Sequence, residues 1–216
     1  MTQQLDLKGK KVFVVMPAYN AAKTLWDTYH RIPHQYVHET ILVDDASHDE
    51  TFNAAKDLNI HALRHLHNLG YGGNQKTCYT EALRRGADIV VMIHPDGQYD
   101  PTFLVPIIEP IVNEKADVVL GSRMLYRKKA LEGGMPIYKF ISNIFLTTME
   151  NWVLGKNLSE YHTGYRAYSR HFLETIPFLR NSNDFVFDTE VLVQASHFGM
   201  HIEEIPITTK YFTEAS

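Results

Sequence analysis

The chain has 216 residues, of which 44% are hydrophobic and 21% are charged, and its formal net charge is -4 at pH 7. This length and composition suffice for an ordinary globular protein with a full hydrophobic core. Because the chain has no basic excess, we expect no nucleic-acid partner, and any bound phosphate must be met by local groups. The single cysteine, Cys78, excludes an internal disulfide and fits a reducing compartment.

The sequence carries no signal for export or for a membrane span. The N-terminal segment MTQQLDLKGKK lacks the apolar core of a signal peptide, and no stretch reaches the roughly 18 apolar residues of a spanning helix. The twelve histidines are scattered and show no HExxH spacing. We therefore expect no membrane anchor in this sequence, and we interpret most histidines as structural or solvated.

The first three predicted units each consist of a strand, a polar or glycine-rich loop and a helix. The strands are predicted at 10–16, 40–43 and 60–66, and the helices at 21–32, at 48–58 and from near Asn74 onward. Further along, a helix with two prolines is predicted at 102–115, and a short strand at 117–121. This alternation predicts a three-layer α/β fold with a largely parallel central sheet.

The segment 88–101 combines the clearest strand with the most polar loop. Five consecutive apolar residues, 89–93, predict a buried central strand that is too short to be a helix. His94, Asp96 and Gln98 follow it directly, among proline and glycine residues that end the strand. Asp96 and Gln98 offer hard oxygen ligands for a Mg²⁺ or Mn²⁺ ion that also carries substrate phosphates. The alternative is a surface turn with solvated carboxylates.

Polar residues also end two other predicted strands. Asn20 follows the first strand, and Asp44 and Asp45 follow the second. Parallel connection places these residues and Asp96 along one edge of the sheet, where open α/β sheets bind ligands. The glycine-rich stretch LGYGGNQK fits neither the dinucleotide-binding spacing nor the P-loop spacing, so it predicts neither of those sites.

The second half contains two helical patterns of interest. Residues 135–154 place apolar and aromatic side chains at near-helical spacing, which is typical either of a core helix or of a helix in a membrane interface. Core burial is the more frequent of the two outcomes. Residues 185–199 predict a helix whose first turn carries Asp188 and Glu190. An edge-like strand is predicted at 205–209.

Five segments become informative when they are read together: VVMPAYNAAKTL, ILVDDASHDET, LGYGGNQKTCYTEALRRGADIVVMIHPDGQYDP, VVLGSRM and TGYRAYSR. Their order and spacing resemble those of family 2 glycosyltransferases of the GT-A fold, and most closely the polyprenyl-phosphate branch with its dolichyl-phosphate mannose synthases. The resemblance covers nearly the whole chain. It implies a single GT-A domain over 1–216, with a Rossmann-like nucleotide-binding half at about 8–123 and an acceptor half at about 124–216.

The resemblance also implies site residues on the donor side. The nucleotide-binding residues would be Pro17, Tyr19, Asn20, Val43, Asp45, Asp96 and Arg123. In the family's Asp-x-Asp metal motif, Asp96 matches the second acid and Gln98 matches a further ligand, whereas His94 replaces the first acid. Arg123 would add a fixed cation near the phosphates, or else form a surface salt bridge. Ala21 stands where many relatives have a glutamate that touches the nucleotide.

On the acceptor side, the resemblance implies that Lys139, Thr163, Gly164 and Arg166 lie near the acceptor phosphate, with Gly164 allowing a tight turn. Arg166 could equally pair with an acid for structural reasons. Lys210 would match a basic loop that closes over the donor phosphates. Asp96 and Arg123 are the expected catalytic residues. If the acceptor needs a general base, one of Asp184, Asp188 or Glu190 could serve; otherwise these acids only cap their helix.

The expected function is therefore inverting transfer of a sugar from a UDP- or GDP-sugar to a polyprenyl phosphate. The enzyme would lie peripherally at the cytoplasmic face of the membrane and use Mg²⁺ or Mn²⁺ as its cofactor. Two alternatives stay open at this point: a transferase to a hydroxyl acceptor in surface polysaccharide synthesis, and a non-catalytic module that binds nucleotide sugars.

Overall fold

The structure is a computed structural model that describes residues 5–126, 131 and 135–209. Its strands are β1 (Val12–Ala18), β2 (Glu39–Asp44), β3 (His61–Arg64), β4 (Ile89–Met92), β5 (Val118–Ser122), β6 (Arg166–Ser169) and β7 (Ile202–Pro206). Its α-helices are α1 (Ala22–His30), α2 (Thr51–Asp57), α3 (Tyr71–Arg84), α4 (Leu104–Val112), α5 (Ile137–Leu154), α6 (Arg170–Thr175) and α7 (Phe187–His197). Short 3₁₀ turns lie at His34–Tyr36, Pro101–Phe103, Met124–Tyr126 and Phe178–Arg180.

All of these strands form one sheet in the order β3-β2-β1-β4-β6-β5-β7. Neighbouring strands are parallel, except that β6 runs antiparallel to both β4 and β5. The prediction of a mostly parallel α/β sheet is thus confirmed. β6 itself was not predicted as a strand, because four residues that begin with an arginine give no recognisable alternation.

The sheet is buried on both faces, which gives the predicted three layers. Along β1, Val12, Val14 and Met16 pack on the side of α1, α2 and α4. Phe13 and Val15 pack on the opposite side, against α3, α6 and α7. Cys78 is fully buried on α3. Because both faces are covered by helices, ligands can approach this sheet only at the ends of its strands.

Helix α3 begins three residues earlier than predicted, at Tyr71 rather than Asn74. The glycine-rich turn is therefore part of the helix start instead of a loop before it. Gly70 precedes the helix with a φ of 86°, a conformation that favours glycine. β7 begins at Ile202, ahead of the predicted start, and lies at the edge of the sheet as expected.

The interpretation of α5 as a core helix is wrong. Its two buried side chains are polar, Asn143 and Thr147, whereas most of its large apolar side chains face outward and Phe140, Ile144 and Leu154 are only partly buried. The exposed ones are Ile137, Tyr138, Ile141, Phe145, Leu146, Met149, Trp152 and Val153. The sequence pattern identified an amphipathic helix correctly but could not tell which face turns inward. Among the described helices, none is long and apolar enough to cross a membrane.

Candidate functional site

A cavity of about 720 Å³ opens at the carboxyl ends of β1, β2, β4 and β5. It brings together three groups that lie far apart in the sequence: Asp45 after β2, Asp96 after β4 and Arg123 after β5. Most of the other lining residues are polar or aromatic. The lining includes Pro17, Tyr19, Tyr71, His94, Gln98, Tyr99, Thr163, Gly164 and Asp188. The sheet edge therefore forms one concave site, as the parallel connection predicts.

Asp45 organises the wall of this cavity next to the glycine-rich turn. One of its carboxylate oxygens accepts hydrogen bonds from His65 Nδ1 at 2.6 Å and from the Leu69 amide at 2.8 Å. The other oxygen accepts from the Gly70 amide at 3.0 Å. A carboxylate offers about four acceptor positions. Asp45 thus uses most of its hydrogen-bond acceptor positions to hold residues 65–70, and few positions remain for a ligand.

The glycine-rich turn packs directly against residues 182–184. The Gly72 amide donates to the Asn183 carbonyl oxygen at 2.8 Å, and a Cβ on Gly72 would lie 2.5 Å from the Ser182 carbonyl oxygen. On the next turn of α3, Lys76 Nζ donates to the Asn181 carbonyl and to the Asn183 side chain. Glycine is required here because two backbone segments approach each other closely.

The acidic loop after β4 presents Asp96 and Gln98 to the cavity. The Gln98 amide donates to one Asp96 carboxylate oxygen at 2.9 Å, which closes the turn around Gly97. Gly97 has a φ of 76°, which only glycine adopts readily. The turn therefore aims both side chains at the same space, although Asp96 gives one oxygen partly to the backbone.

His94 is held tightly by protein groups. Its Nε2 lies 3.2 Å from the Tyr71 hydroxyl, and its ring also hydrogen-bonds the backbone of Pro17. A Cβ on Gly164 would lie 2.9 Å from His94 Cδ2, so only glycine leaves room for the ring. Gly164 thus serves close packing rather than the tight turn that we expected. Burial lowers the pKa of His94 although nearby Asp96 and Asp188 oppose the shift, which favours the neutral imidazole.

These residues fit a divalent ion only if the substrate supplies much of its coordination. Among the described residues, no group of three or more His, Cys, Asp or Glu side chains is arranged to hold a metal. Asp96 and Gln98 provide hard oxygen donors beside the cavity, which suits an ion shared with substrate phosphates and water. His94 could ligate through Nε2 only by giving up its contact with Tyr71.

Arg123 is a cavity residue whose charge is matched by a buried acid. Its Nε donates to Glu160 Oε1 at 2.8 Å, and its backbone amide donates to Glu160 Oε2 at 2.8 Å. Its Nη2 also donates to the His162 carbonyl. Glu160 is fully buried, so this is not the surface salt bridge named as the alternative. The guanidinium is fixed at the cavity wall by these contacts.

Arg166 does not reach the cavity. It is fully buried and donates to the carbonyl oxygens of Tyr161, Thr163 and Asp188, while its Nη2 lies 3.4 Å from the Asp188 carboxylate. This geometry gives it the structural pairing that the sequence left open. Thr163 lines the cavity, and its hydroxyl donates to the Gly121 carbonyl.

Asp188 lies at the cavity wall with both carboxylate oxygens occupied. Gln75 donates to one oxygen at 3.1 Å, and the Tyr71 hydroxyl donates to the other at 2.9 Å. Glu190 lies outside the cavity lining and accepts a hydrogen bond from the Ser182 amide at 2.7 Å. Both acids lie in the first turn of α7, as expected, while their carboxylates also bond Tyr71, Gln75 and the Ser182 amide.

Three other predicted site residues that the structure describes do not line the cavity. Asn20 has a φ of 51° and joins β1 to Ser47 and His48 through hydrogen bonds. Val43 is fully buried below it, and Lys139 is exposed on α5. Lys210 falls outside the described residues, so its expected contact with the phosphates stays a prediction.

Sequence reasoning missed several cavity residues, of which Tyr71, Asn68, Tyr99 and Phe185 are the most prominent. Tyr71 stood within the glycine-rich stretch, but that stretch was tested only against known phosphate-binding spacings. No sequence pattern identifies Tyr99 as a site residue, yet its hydroxyl accepts a hydrogen bond from the Gly164 amide at 2.8 Å. These contacts join distant segments, so only the fold could identify them.

Comparison with known proteins agrees with this geometry. The family model described as glycosyl transferase family 2 matches residues 13–176. The chain is 28% identical to a UDP-N-acetylglucosamine–dolichyl-phosphate N-acetylglucosaminyltransferase of Methanococcus voltae, covering 95% of this chain and 88% of that protein. It is 29% identical to an undecaprenyl-phosphate mannosyltransferase of Micrococcus luteus, covering 92% of this chain and 83% of that protein.

The fold is similar to that of solved GT-A glycosyltransferases. The crystal structure of glucosyl-3-phosphoglycerate synthase from Mycobacterium tuberculosis superposes with a TM-score of 0.73 at 19% identity, covering 95% of this chain and 74% of that one. The same enzyme in complex with Mn²⁺ and UDP-glucose superposes with a TM-score of 0.72 at 16% identity, covering 99% and 78%. The chain belongs to glycosyl transferase family 2, has the GT-A fold and groups with the polyprenyl-phosphate sugar transferases of that family.

Proposed function

We propose that this glycosyltransferase moves a sugar from a UDP- or GDP-sugar to a polyprenyl phosphate at the cytoplasmic face of a membrane. The observation that carries the proposal is the cavity that both Asp96 and Arg123 line, together with a helix, α5, that has an exposed apolar face. The donor end of the site is the part next to β1 and β4, and the acceptor end is the part next to Thr163 and Asp188. One domain over 1–216 contains both ends.

The donor diphosphate would lie between Asp96 and Arg123, with Pro17 and Tyr19 beside the nucleotide. Arg123 would contribute a fixed cation beside the phosphates, although its Nε and Nη2 already donate to Glu160 and to the His162 carbonyl oxygen. The name of the Methanococcus voltae relative specifies a UDP-linked donor, which favours UDP over GDP. Asp45 would hold the wall of the nucleotide pocket and offer at most one acceptor position to the ribose or base.

Asp96 and Gln98 would hold a Mg²⁺ or Mn²⁺ ion together with the donor phosphates. Such an ion stabilises the negative charge that develops on the departing phosphate. The M. tuberculosis enzyme of the same fold was crystallised with Mn²⁺ or Mg²⁺ and UDP. His94 would support the loop from behind rather than bind the ion, since its ring is engaged by Tyr71 and packed on Gly164.

The chemical step would need no general base. An oxygen of the acceptor phosphate attacks the anomeric carbon, the bond from that carbon to the donor phosphate breaks, and the nucleoside diphosphate leaves with the electron pair. A phosphate monoester is already ionised near neutral pH, whereas a hydroxyl acceptor must lose a proton. Gln75, Tyr71 and Arg166 occupy the Asp188 carboxylate, which supports the phosphate acceptor over a hydroxyl acceptor that would use Asp188 as its base.

Helix α5 would bring the enzyme to its lipid substrate. Tyr138, Phe145 and Trp152 recur every seven residues and are 63% to 85% exposed, so they share one face of a helix about 27 Å long. Aromatic and aliphatic side chains on one exposed face are typical of a helix that lies in the membrane interface. Lys139, exposed on the same helix, would meet the acceptor phosphate or the lipid headgroups.

A screen of donor sugars against lipid acceptors in detergent tests the proposal. The enzyme is incubated with labelled UDP- and GDP-sugars, with undecaprenyl phosphate or undecaprenol, and the lipid-linked product is separated by extraction. We expect product with undecaprenyl phosphate and none with undecaprenol, which differs only in lacking the phosphate. Product with undecaprenol or with a saccharide acceptor would favour the hydroxyl-acceptor alternative. Binding of donors with neither transfer nor hydrolysis would favour the non-catalytic module.

A further inference from the structure

The glycine-rich turn at the start of α3 links the donor half of the cavity to its acceptor half. Gly70, Gly72 and Gly73 all lie too close to residues 182–187 or to Leu69 for a side chain to be accommodated. The Gly72 amide donates to Asn183, and Lys76 anchors the same segment from the next turn. The start of α3 therefore packs against the segment 181–188 and anchors it through hydrogen bonds.

Tyr71 stands at the centre of this contact. Its ring is stacked between His94, at a centroid distance of 5.4 Å, and Phe185, at 4.7 Å. Its hydroxyl donates to the Asp188 carboxylate at 2.9 Å and lies 3.2 Å from His94 Nε2. One side chain thus touches the acidic loop of the donor end and two residues of the opposite wall.

The hydroxyl keeps its proton under all ordinary conditions. Burial raises the pKa of Tyr71 well above its usual value, and the charge of Asp188 raises it further. Tyr71 is therefore a permanent donor to Asp188, whose negative charge is also matched by Arg166 from the buried side. This arrangement fixes the orientation of the carboxylate instead of freeing it for proton transfer.

Phe185 completes the wall that Tyr71 supports. It is 73% exposed and yet lines the cavity, because its ring stacks on Tyr71 rather than entering the core. Its neighbour Val186 is also exposed. Among the described residues, Tyr71 is the only aromatic ring that contacts Phe185, so the Tyr71 ring holds the Phe185 ring beside the cavity.

We infer that Tyr71 is a positioning residue that sets the shape of the acceptor-side wall, residues 184–188, and so controls acceptor affinity rather than donor affinity. This inference rests on the proposed function, because it assigns the 184–188 wall to the polyprenyl-phosphate acceptor. It also gives the glycine-rich stretch a role that no phosphate-binding spacing explains.

Steady-state kinetics of Tyr71→Phe test the role of the hydroxyl, since this variant keeps the ring. Loss of a hydrogen bond to a charged group changes an equilibrium by roughly tenfold or more. We expect the KM for undecaprenyl phosphate to rise about tenfold and the KM for the donor to stay within twofold. Tyr161→Phe is the matched control, because its buried hydroxyl donates to Asn151 outside the cavity. Equal changes in both KM values, or none, would overturn the inference.

Hydrogen–deuterium exchange of Tyr71→Ala provides a readout that does not depend on transfer. We expect faster exchange in peptides that cover 181–188 and unchanged exchange in β1 and β4. Unchanged exchange over 181–188 would overturn the positioning role even if activity fell. If the wild-type enzyme glycosylates no prenyl phosphate, the proposed function fails, while the exchange result still decides whether Tyr71 holds this wall.

Discussion

At the scale of single residues, the site depends on close approaches more than on unusual chemistry. Gly164 lets His94 lie against the chain, and Gly72 lets α3 lie against residues 182–184. Asp45 uses its carboxylate to fix residues 65–70. These residues shape the walls of the cavity that Asp96 and Arg123 both line.

Replacing Gly72 with alanine should destabilise the protein by about 1–3 kcal/mol, the usual cost of overpacking. The added Cβ would lie 2.5 Å from the Ser182 carbonyl oxygen and 3.0 Å from the Asp184 carbonyl oxygen, and backbone atoms cannot rotate away. Thermal or urea unfolding measures the change. Thr80→Ala is the control, because Thr80 is exposed on the same helix. A Gly72→Ala variant as stable as Thr80→Ala would contradict the contact.

The sequence predicted some of these residues and not others, for a physical reason. Asp96 and Gln98 were recognisable because a strand, a turn and oxygen ligands are adjacent in the chain. Tyr71 and Asp188 were not seen as partners, because 117 positions separate them and neither carries a local pattern. The role of Gly164 was predicted as a turn, since sequence shows a glycine but not the ring packed on it.

At the scale of elements, α5 has the reverse of the usual arrangement. Its buried positions are polar, with Asn143 donating to Glu160 at 3.0 Å, while most of its apolar side chains point outward. The pattern of spacing is identical for either orientation. Only the partner available on the inside, here a buried acid beside Arg123, determines which face turns inward.

The two tryptophans of the chain allow a direct test of membrane contact by α5. Trp152 on α5 is 85% exposed, and Trp26 on α1 is 59% exposed. In a Trp26→Phe variant, the remaining Trp152 should shift its emission to shorter wavelength when vesicles of anionic phospholipid are added. In a Trp152→Phe variant, Trp26 should show no shift.

The same pair provides a binding control. Burying one large side chain contributes enough to change a partition coefficient by about tenfold or more, so Trp152→Glu should weaken vesicle binding by about that factor in a sedimentation assay. Trp26→Glu should leave vesicle binding unchanged. Equal behaviour of the two variants would argue against an interfacial α5.

A second prediction at this scale concerns Glu81 on α3, whose carboxylate makes the stability of the protein depend on pH. The hydrogen bonds from Arg84, aided by His61, lower the pKa of Glu81 to about 2. The pKa of Glu81 in the folded protein lies below its value of about 4.3 in the unfolded chain. The stabilisation is therefore fully present above about pH 4.3 and is lost as the pH falls towards 2. Glu81→Gln should therefore lower the Tm at pH 7, with the difference shrinking between about pH 4.3 and pH 2.

Glu174→Gln is the control for this prediction, since Glu174 forms an exposed pair with Arg170 and should change the Tm little at any pH. If the Tm difference between Glu81→Gln and the wild type is the same at pH 7 and pH 2, the assignment of the effect to Glu81 ionisation is wrong.

At the scale of the whole molecule, β6 joins the two halves predicted from the sequence. It comes from the acceptor half, yet it lies between β4 and β5 of the nucleotide-binding half. The loop before it carries Thr163 and Gly164 into the cavity. The alternation of strands and helices revealed the parallel part of the sheet, whereas this antiparallel insertion depends on pairing between distant segments and was not predictable from spacing.

Calorimetric titration of UDP and GDP, with and without Mn²⁺, tests most directly whether this edge of the sheet holds a diphosphate through a cation. We expect Mn²⁺ to tighten binding of the correct nucleotide at least tenfold in the wild type, and to have no effect in Asp96→Asn. Asp100→Asn should behave like the wild type, because Asp100 pairs with Arg31 outside the cavity lining. Binding of equal strength with and without Mn²⁺, or metal-dependent binding that survives Asp96→Asn, would contradict the account.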